Sequence, residues 1–196
     1  MTTTLPNAEL TSRLVGLYAR MEEAYNRVAA ELDFSCGDCP DNCCDSYFLH
    51  HTVIEWGYLW QGLAALDPER LEQIRARAER YLTGVAEALA RYERPQIMCP
   101  LNEGGLCGLY AHRLMICRMH GVPSSFTLPD GRRQEFPGCH RCQEQTAGRE
   151  NPPEVDRTAL YRELAELERE LLLLTGRCGP RIKMSIAEMI VAGPPK

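Results

Sequence analysis

Between Val28 and Glu69 the chain has no lysine and no arginine. The same stretch holds eight acids, Glu31, Asp33, Asp38, Asp41, Asp45, Glu55, Asp67 and Glu69, and four cysteines, Cys36, Cys39, Cys43 and Cys44. Thiolates crowded into such a field repel one another unless a cation neutralises them. A reactive, metal-free thiol needs a basic neighbour to lower its pKa, and this segment supplies none, which argues against a simple thiol nucleophile. Also missing is an export leader: Met1-Thr-Thr-Thr-Leu-Pro has no basic region and no apolar run behind it. Nor does any apolar run approach the roughly 20 residues of a spanning helix, the longest leucine run being Leu171 to Leu174. A net charge of -5 leaves no basic excess for nucleic acid or an anionic membrane. The expectation is a cytoplasmic protein without membrane or nucleic-acid partners. Its ten cysteines are then not five disulfides, which are rare where thiols are kept reduced. Adjacent Cys43 and Cys44 also pair poorly, because a disulfide between neighbours strains the backbone.

What is present is mostly helical. With 196 residues, 44% of them hydrophobic and 25% charged, the chain is long and apolar enough for one domain with a core. Leu10, Leu14, Leu17, Met21, Tyr25, Val28 and Leu32 recur every three or four residues, which predicts a helix from Asn7 to Leu32. Thr52 to Leu66, with Trp56 and Trp60 four apart, predicts a buried helix. Asp67-Pro68-Glu69 starts another, through Leu71, Ile74, Ala78, Leu82, Val85 and Leu89, with Pro95 ending it. Periodicity then fades into loops, short helices and one hairpin, Ser125 to Phe136, with Asp130-Gly131 at its turn. A last long helix is expected from Pro152-Pro153 to Gly176, and a short one after Ser185, where Ser185 and Glu188 make a capping box. The expected fold is mainly α, with helices packed around a cysteine-rich, loop-rich metal-binding region. Residues 1–34 form an amphipathic helix, 35–148 the cysteine-cluster region, and 149–196 a helical segment packing on the same core.

The cysteines carry the chemistry. Cys36 and Cys39 have the spacing that lets two sulfurs from one tight turn reach one metal. A helical turn starting near Pro40 would put Cys43 where backbone N–H groups favour a thiolate. Cys44 points elsewhere, so either one of the pair is a bystander or the two serve a polynuclear centre or two metals. A second group follows: Cys99, Cys107, Cys117, then Cys139-His-Arg-Cys142. From Pro95 to Arg149 six arginines stand against four acids, a charge of +2 in a chain that is -5 overall. Guanidinium groups beside a thiolate-ligated centre stabilise it, and Arg113 and Arg118, which flank Cys117, are the candidates. Among the histidines, His140 inside the Cys-x2-Cys pair is the most suggestive ligand. His50, His51, His112 and His120 read as surface or structural. Cys178 stands outside both groups.

The opening cluster Cys36-x2-Cys39-x3-Cys43-Cys44 is followed by Cys99-Pro-Leu-Asn-Glu-Gly-Gly-Leu-Cys107-Gly-Leu-Tyr110-Ala-His-Arg113-Leu-Met-Ile-Cys117-Arg118. Together these resemble the YkgJ-type cysteine-cluster proteins, a zinc- or iron-chelating family. The likeness runs from Cys36 to His120. It departs in having three residues rather than two before the paired cysteines, and Leu114 where many members have proline. The resemblance implies metal or iron–sulfur binding, and the flagellin lysine methylase relatives suggest cluster-dependent methyl transfer as one outlet. The chain itself shows no Gly-rich nucleotide loop, no C-x3-C-x2-C spacing and no ferredoxin run. The reading is a centre built from Cys36, Cys39, Cys43, Cys44, Cys99, Cys107, Cys117 and Cys139, holding an iron–sulfur cluster for redox or cluster-dependent chemistry, with a redox or protein partner of unknown identity. The alternative is a structural zinc protein serving as an interaction module. Whether it is an enzyme, and its oligomeric state, are left open.

Overall fold

The computed structural model describes residues 3–36, 43–177 and 181–196. Cys39, Pro40 and Cys178 lie outside the described residues. Seven helices dominate the described chain. Helix α1 (Ala8–Glu31) is capped by Asn7, whose side chain accepts from Leu10 N, and it buries Leu10, Leu14, Leu17, Tyr18, Met21 and Val28. Helix α3 (Pro68–Ala90) starts where Asp67 caps Arg70 N, with proline in its first turn. It ends at Ala90 rather than at Pro95, because Tyr92 turns to a left-handed φ of 58°.

Helix α2 (Val53–Ala64) is apolar nearly all round, and only Gln61 and Ala64 escape full burial. A helix of that kind belongs inside a fold. One face, Val53, Ile54 and Tyr58, enters a core with α1, with α4 (Met115–Met119) and with Leu164, Leu167 and Leu171 of α6 (Thr158–Thr175). Its other face, Trp56, Leu59, Trp60 and Leu63, enters a second core with α3 and with Ala187, Met189 and Ile190 of α7 (Ile186–Ala192). Both indoles donate to Met189 O, at 3.2 Å from Trp56 and 2.8 Å from Trp60. The expected capping box of Ser185 and Glu188 is formed at the start of α7.

The sheets are small. Strands β1 (Asn102–Glu103) and β2 (Leu106–Cys107) make a two-residue hairpin. The expected hairpin is β3 (Ser124–Thr127) paired with β4 (Arg133–Phe136), turning through left-handed Gly131. Helix α6 does not begin at Pro152-Pro153. Instead β5 (Val155–Asp156) pairs parallel with β3, its Val155 N reaching Pro123 O at 2.9 Å, and the helix starts only at Thr158. Paired prolines read as a helix start locally, but the open edge of β3 takes the chain first. A short helix, α5 (His140–Thr146), completes the set.

Candidate metal centre

Backbone pairing sets Cys44 beside Cys99. Ser46 and Gln96 form an antiparallel bridge, Ile97 N donates to Asp45 O at 3.2 Å, and Cys99 N donates to Cys44 O at 2.8 Å. From Cys99 the loop folds back at once, with Asn102 N donating to Cys99 O at 2.9 Å, and Asn102 is the register partner of Cys107 across β1 and β2. Cys117 comes from the third position of α4. Leu114, the N-cap of α4, offers no side-chain cap. The first amide, Met115 N, instead donates to Glu55 Oε1 of α2 at 2.6 Å. The same carboxylate accepts from Tyr18 Oη at 3.0 Å and Thr52 Oγ1 at 2.7 Å. Glu55 is 4% exposed, so it belongs to the interior and not to the acidic surface suggested by its segment.

Three of these four sulfurs, Cys99, Cys107 and Cys117, feel charge on Cys44. Burial pushes Cys99 up to about 12, and Cys44 and Cys107 add to it. Burial likewise raises Cys107 and Cys117, with charge on neighbouring thiols as a further cause. Cys44 goes the other way, to about 6, held down first by a hydrogen bond from the Cys43 thiol and then by the Asn102 amide and the Arg113 guanidinium. Cys43 is raised first by the same bond and then by burial, with charge on Cys44, Cys36 and Cys117 adding to it. Cys43 opens a 3-10 turn, Cys43–Asp45, and the start of the turn expected near Pro40 lies outside the described residues. The basic neighbour absent from residues 28–69 arrives from Arg113, about seventy residues on.

A second gathering surrounds Tyr25. Its Oη lies 3.6 Å from Cys36 Sγ and against Gly121, where any Cβ would collide with it. Gly121 O in turn accepts from Cys139 N at 2.9 Å. Cys139 is the N-cap of α5, and Cys142, fully buried in the core beside α1, is its third residue. Gln145 fastens α5 to the end of α1, its Nε2 donating to Leu32 O at 2.7 Å and Asp33 O at 3.0 Å. Cys142 is pushed up to about 11 by burial, then by Cys139 and Cys36. The cysteines thus divide by core as well: Cys99 and Cys107 pack on the second, Cys139 and Cys142 belong to the first.

Of the two candidate arginines, Arg113 stacks 3.6 Å from the Tyr110 ring centroid and acts on Cys44. Arg118 lies 4.3 Å over the Tyr18 ring, and its guanidinium donates to Arg113 O at 2.7 Å and Ala111 O at 2.6 Å. It stitches the loop that leads into α4 and lowers the pKa of Cys107 against the effect of burial. His140 is exposed and pairs with Glu144 at 3.6 Å. His112 fills the space above Gly62 against Tyr58, and His120 packs on Phe48. Tyr25, Asn102 and Glu55 are the residues that spacing alone did not flag. The only sequence trace of Glu55 is a carboxylate inside an otherwise apolar helix.

Among the described residues no three cysteine, histidine, aspartate or glutamate side chains are arranged to hold an ion. The donor set nevertheless fits a thiolate-ligated centre. Arg113 Nε is buried and makes no hydrogen bond, and the Arg113 guanidinium acts on Cys44. Comparison with family models, with curated proteins and with solved structures finds no match.

Proposed function

We propose that this chain is a cysteine-ligated metal-binding protein whose principal centre is held by Cys44, Cys99, Cys107 and Cys117, and that the group it holds is an iron–sulfur cluster. The observation that carries the reading is the backbone pairing that sets Cys44 beside Cys99 and Asn102 across from Cys107, with charge on Cys44 opposing charge on Cys99, Cys107 and Cys117. A cation-bearing centre removes that penalty and releases the protons. Asn102 and Arg113 would donate to its sulfurs, and Arg118 would hold their loop in place. An iron–sulfur cluster supplies one-electron transfer, and hydrogen bonding and burial around its sulfurs set its potential. The resemblance to the YkgJ-type proteins supports the same reading, with redox or cluster-dependent chemistry as the outcome.

Zinc is the second reading. The described cysteines sit in turns and short elements between the long helices, the setting in which a four-thiolate zinc site contributes folding energy. Anaerobic purification with an absorption spectrum and assays of iron, zinc and acid-labile sulfide separates the two. Iron with matching sulfide and a broad band near roughly 400 nm is the expected result. A colourless protein with zinc and no sulfide would overturn the cluster in favour of the structural ion.

A further inference from the structure

Resting on that reading, we infer that the cavity between α3 and residues 97–102 binds a small organic carboxylate and presents it to the principal centre. The cavity measures about 240 Å³. A cavity of roughly 150 Å³ already takes benzene, so a ring or short chain fits here together with its charged group. A drug-sized ligand needs more room.

Both walls are fixed by the fold. Arg77, Arg80 and Tyr81 stand three and four residues apart on α3, so they share one helix face. Opposite, Ile97 N donates to Asp45 O at 3.2 Å, Cys99 N to Cys44 O at 2.8 Å, and Arg77 Nε to Pro100 O at 2.7 Å. Gly84 lets the helix come this close, since a Cβ there would stand 2.8 Å from Ile97 Cδ1. The lining runs from exposed Met98 to half-buried Cys99 and buried Tyr81.

The charge of the ligand follows from that lining. It holds two guanidinium groups and no carboxylate, in a chain that is -5 overall. Arg77 is committed: besides Pro100 O it holds Glu103 at 2.9 Å, and Glu103 is shared with Arg70. Arg80 has no acid partner among the described residues. Its guanidinium is therefore the one open to a carboxylate, whose two oxygens match its fork of N–H donors. The neighbouring cavity along α3, of about 470 Å³, makes the contrast. There Asp67, Glu69 and Glu103 outnumber Arg70 and Arg77, a lining that repels an anion. Ile97, Met98 and Pro100 supply an apolar wall for the carbon body of the ligand. Cys99 and Asn102 also line the cavity, and their backbone is the part paired with Cys44 and Cys107. A molecule seated there lies against the segment that carries the centre.

The test is calorimetric titration of the full chain, purified anaerobically with whatever metal it holds, using benzoate, hexanoate and the neutral benzamide. Both carboxylates should bind saturably, and benzamide about tenfold more weakly or worse, as loss of a charge-assisted hydrogen bond predicts. Arg80→Met should weaken benzoate by about tenfold on the same ground. Arg132→Met, at the exposed hairpin turn, should leave it unchanged. Photolabelling with 4-azidobenzoate should mark residues 77–81 or 97–102 and be suppressed by excess benzoate. No saturable binding, equal affinity for benzoate and benzamide, full affinity in Arg80→Met, or label confined elsewhere each overturns the cavity's role. All four leave the iron and sulfide assays, and with them the cluster reading, untouched. Arg80-dependent binding by a chain that carries zinc and no sulfide sinks the cluster and keeps the carboxylate site.

Discussion

Burying a carboxylate is costly unless donors meet it. Glu55 is met by the Tyr18 and Thr52 hydroxyls and by Met115 N, and through the last of these it aims the helix that carries Cys117. His50 presents the opposite case. It is 1% exposed, and neither ring nitrogen has a hydrogen-bond partner, although its backbone pairs with Met184 in both directions. Burial lowers its pKa from 6.5 to about 4, with Glu55 opposing the shift. The unfolded chain therefore binds a proton that the folded chain refuses between those values. Stability is fully present above about pH 6.5 and is lost as pH falls toward 4, by on the order of 3 kcal/mol for this residue. His50→Leu should flatten that slope in urea titrations at pH 5 and pH 7. An unchanged slope would assign the acid sensitivity to other groups. The cysteines, Arg113 and the arginine-rich second half were legible in the sequence, because residue type and spacing suffice to find them. Glu55 and His50 were not, because their importance lies in what they fail or manage to touch across the fold.

At the level of the element, most helix starts were written locally. Asn7, Asp67 and Ser185 each cap their own helix three residues on, and the alternation of α1 predicted its buried face. The start of α2 was not. Thr52 makes no cap bond to it; instead Glu168 of α6 accepts from Val53 N and Ile54 N, both at 2.8 Å. A neighbouring carboxylate, Glu170, only pairs with Arg13 at the surface. Glu168→Ala should therefore cost about 2 kcal/mol, as the loss of a cap at a half-buried terminus does. Glu170→Ala should cost less than about 0.5 kcal/mol. Equal losses in thermal melts would mean that Glu168 acts only as surface charge. The late start of α6 has the same origin as the hidden cap. A strand edge and a helix terminus are each satisfied by residues distant in sequence, and a local pattern cannot register that.

For the molecule as a whole, the mainly α architecture was readable from periodicity. Which core Cys99, Cys107, Cys139 and Cys142 pack on was not, because it depends on where each segment returns in the fold. Among the described residues no helix is long and apolar enough to cross a membrane. Helix α2 is the common wall of both cores, and Trp56 and Trp60 bind it to α7 while Glu55 and Glu168 bind it to α4 and α6. Neither half can melt without taking that wall from the other. Heating should thus produce one all-or-none transition, with a calorimetric enthalpy equal to the van't Hoff enthalpy, and two resolved heat-absorption peaks would contradict it. A perturbation that begins at one core is then felt by both, and α2 is the member through which cooperativity is enforced.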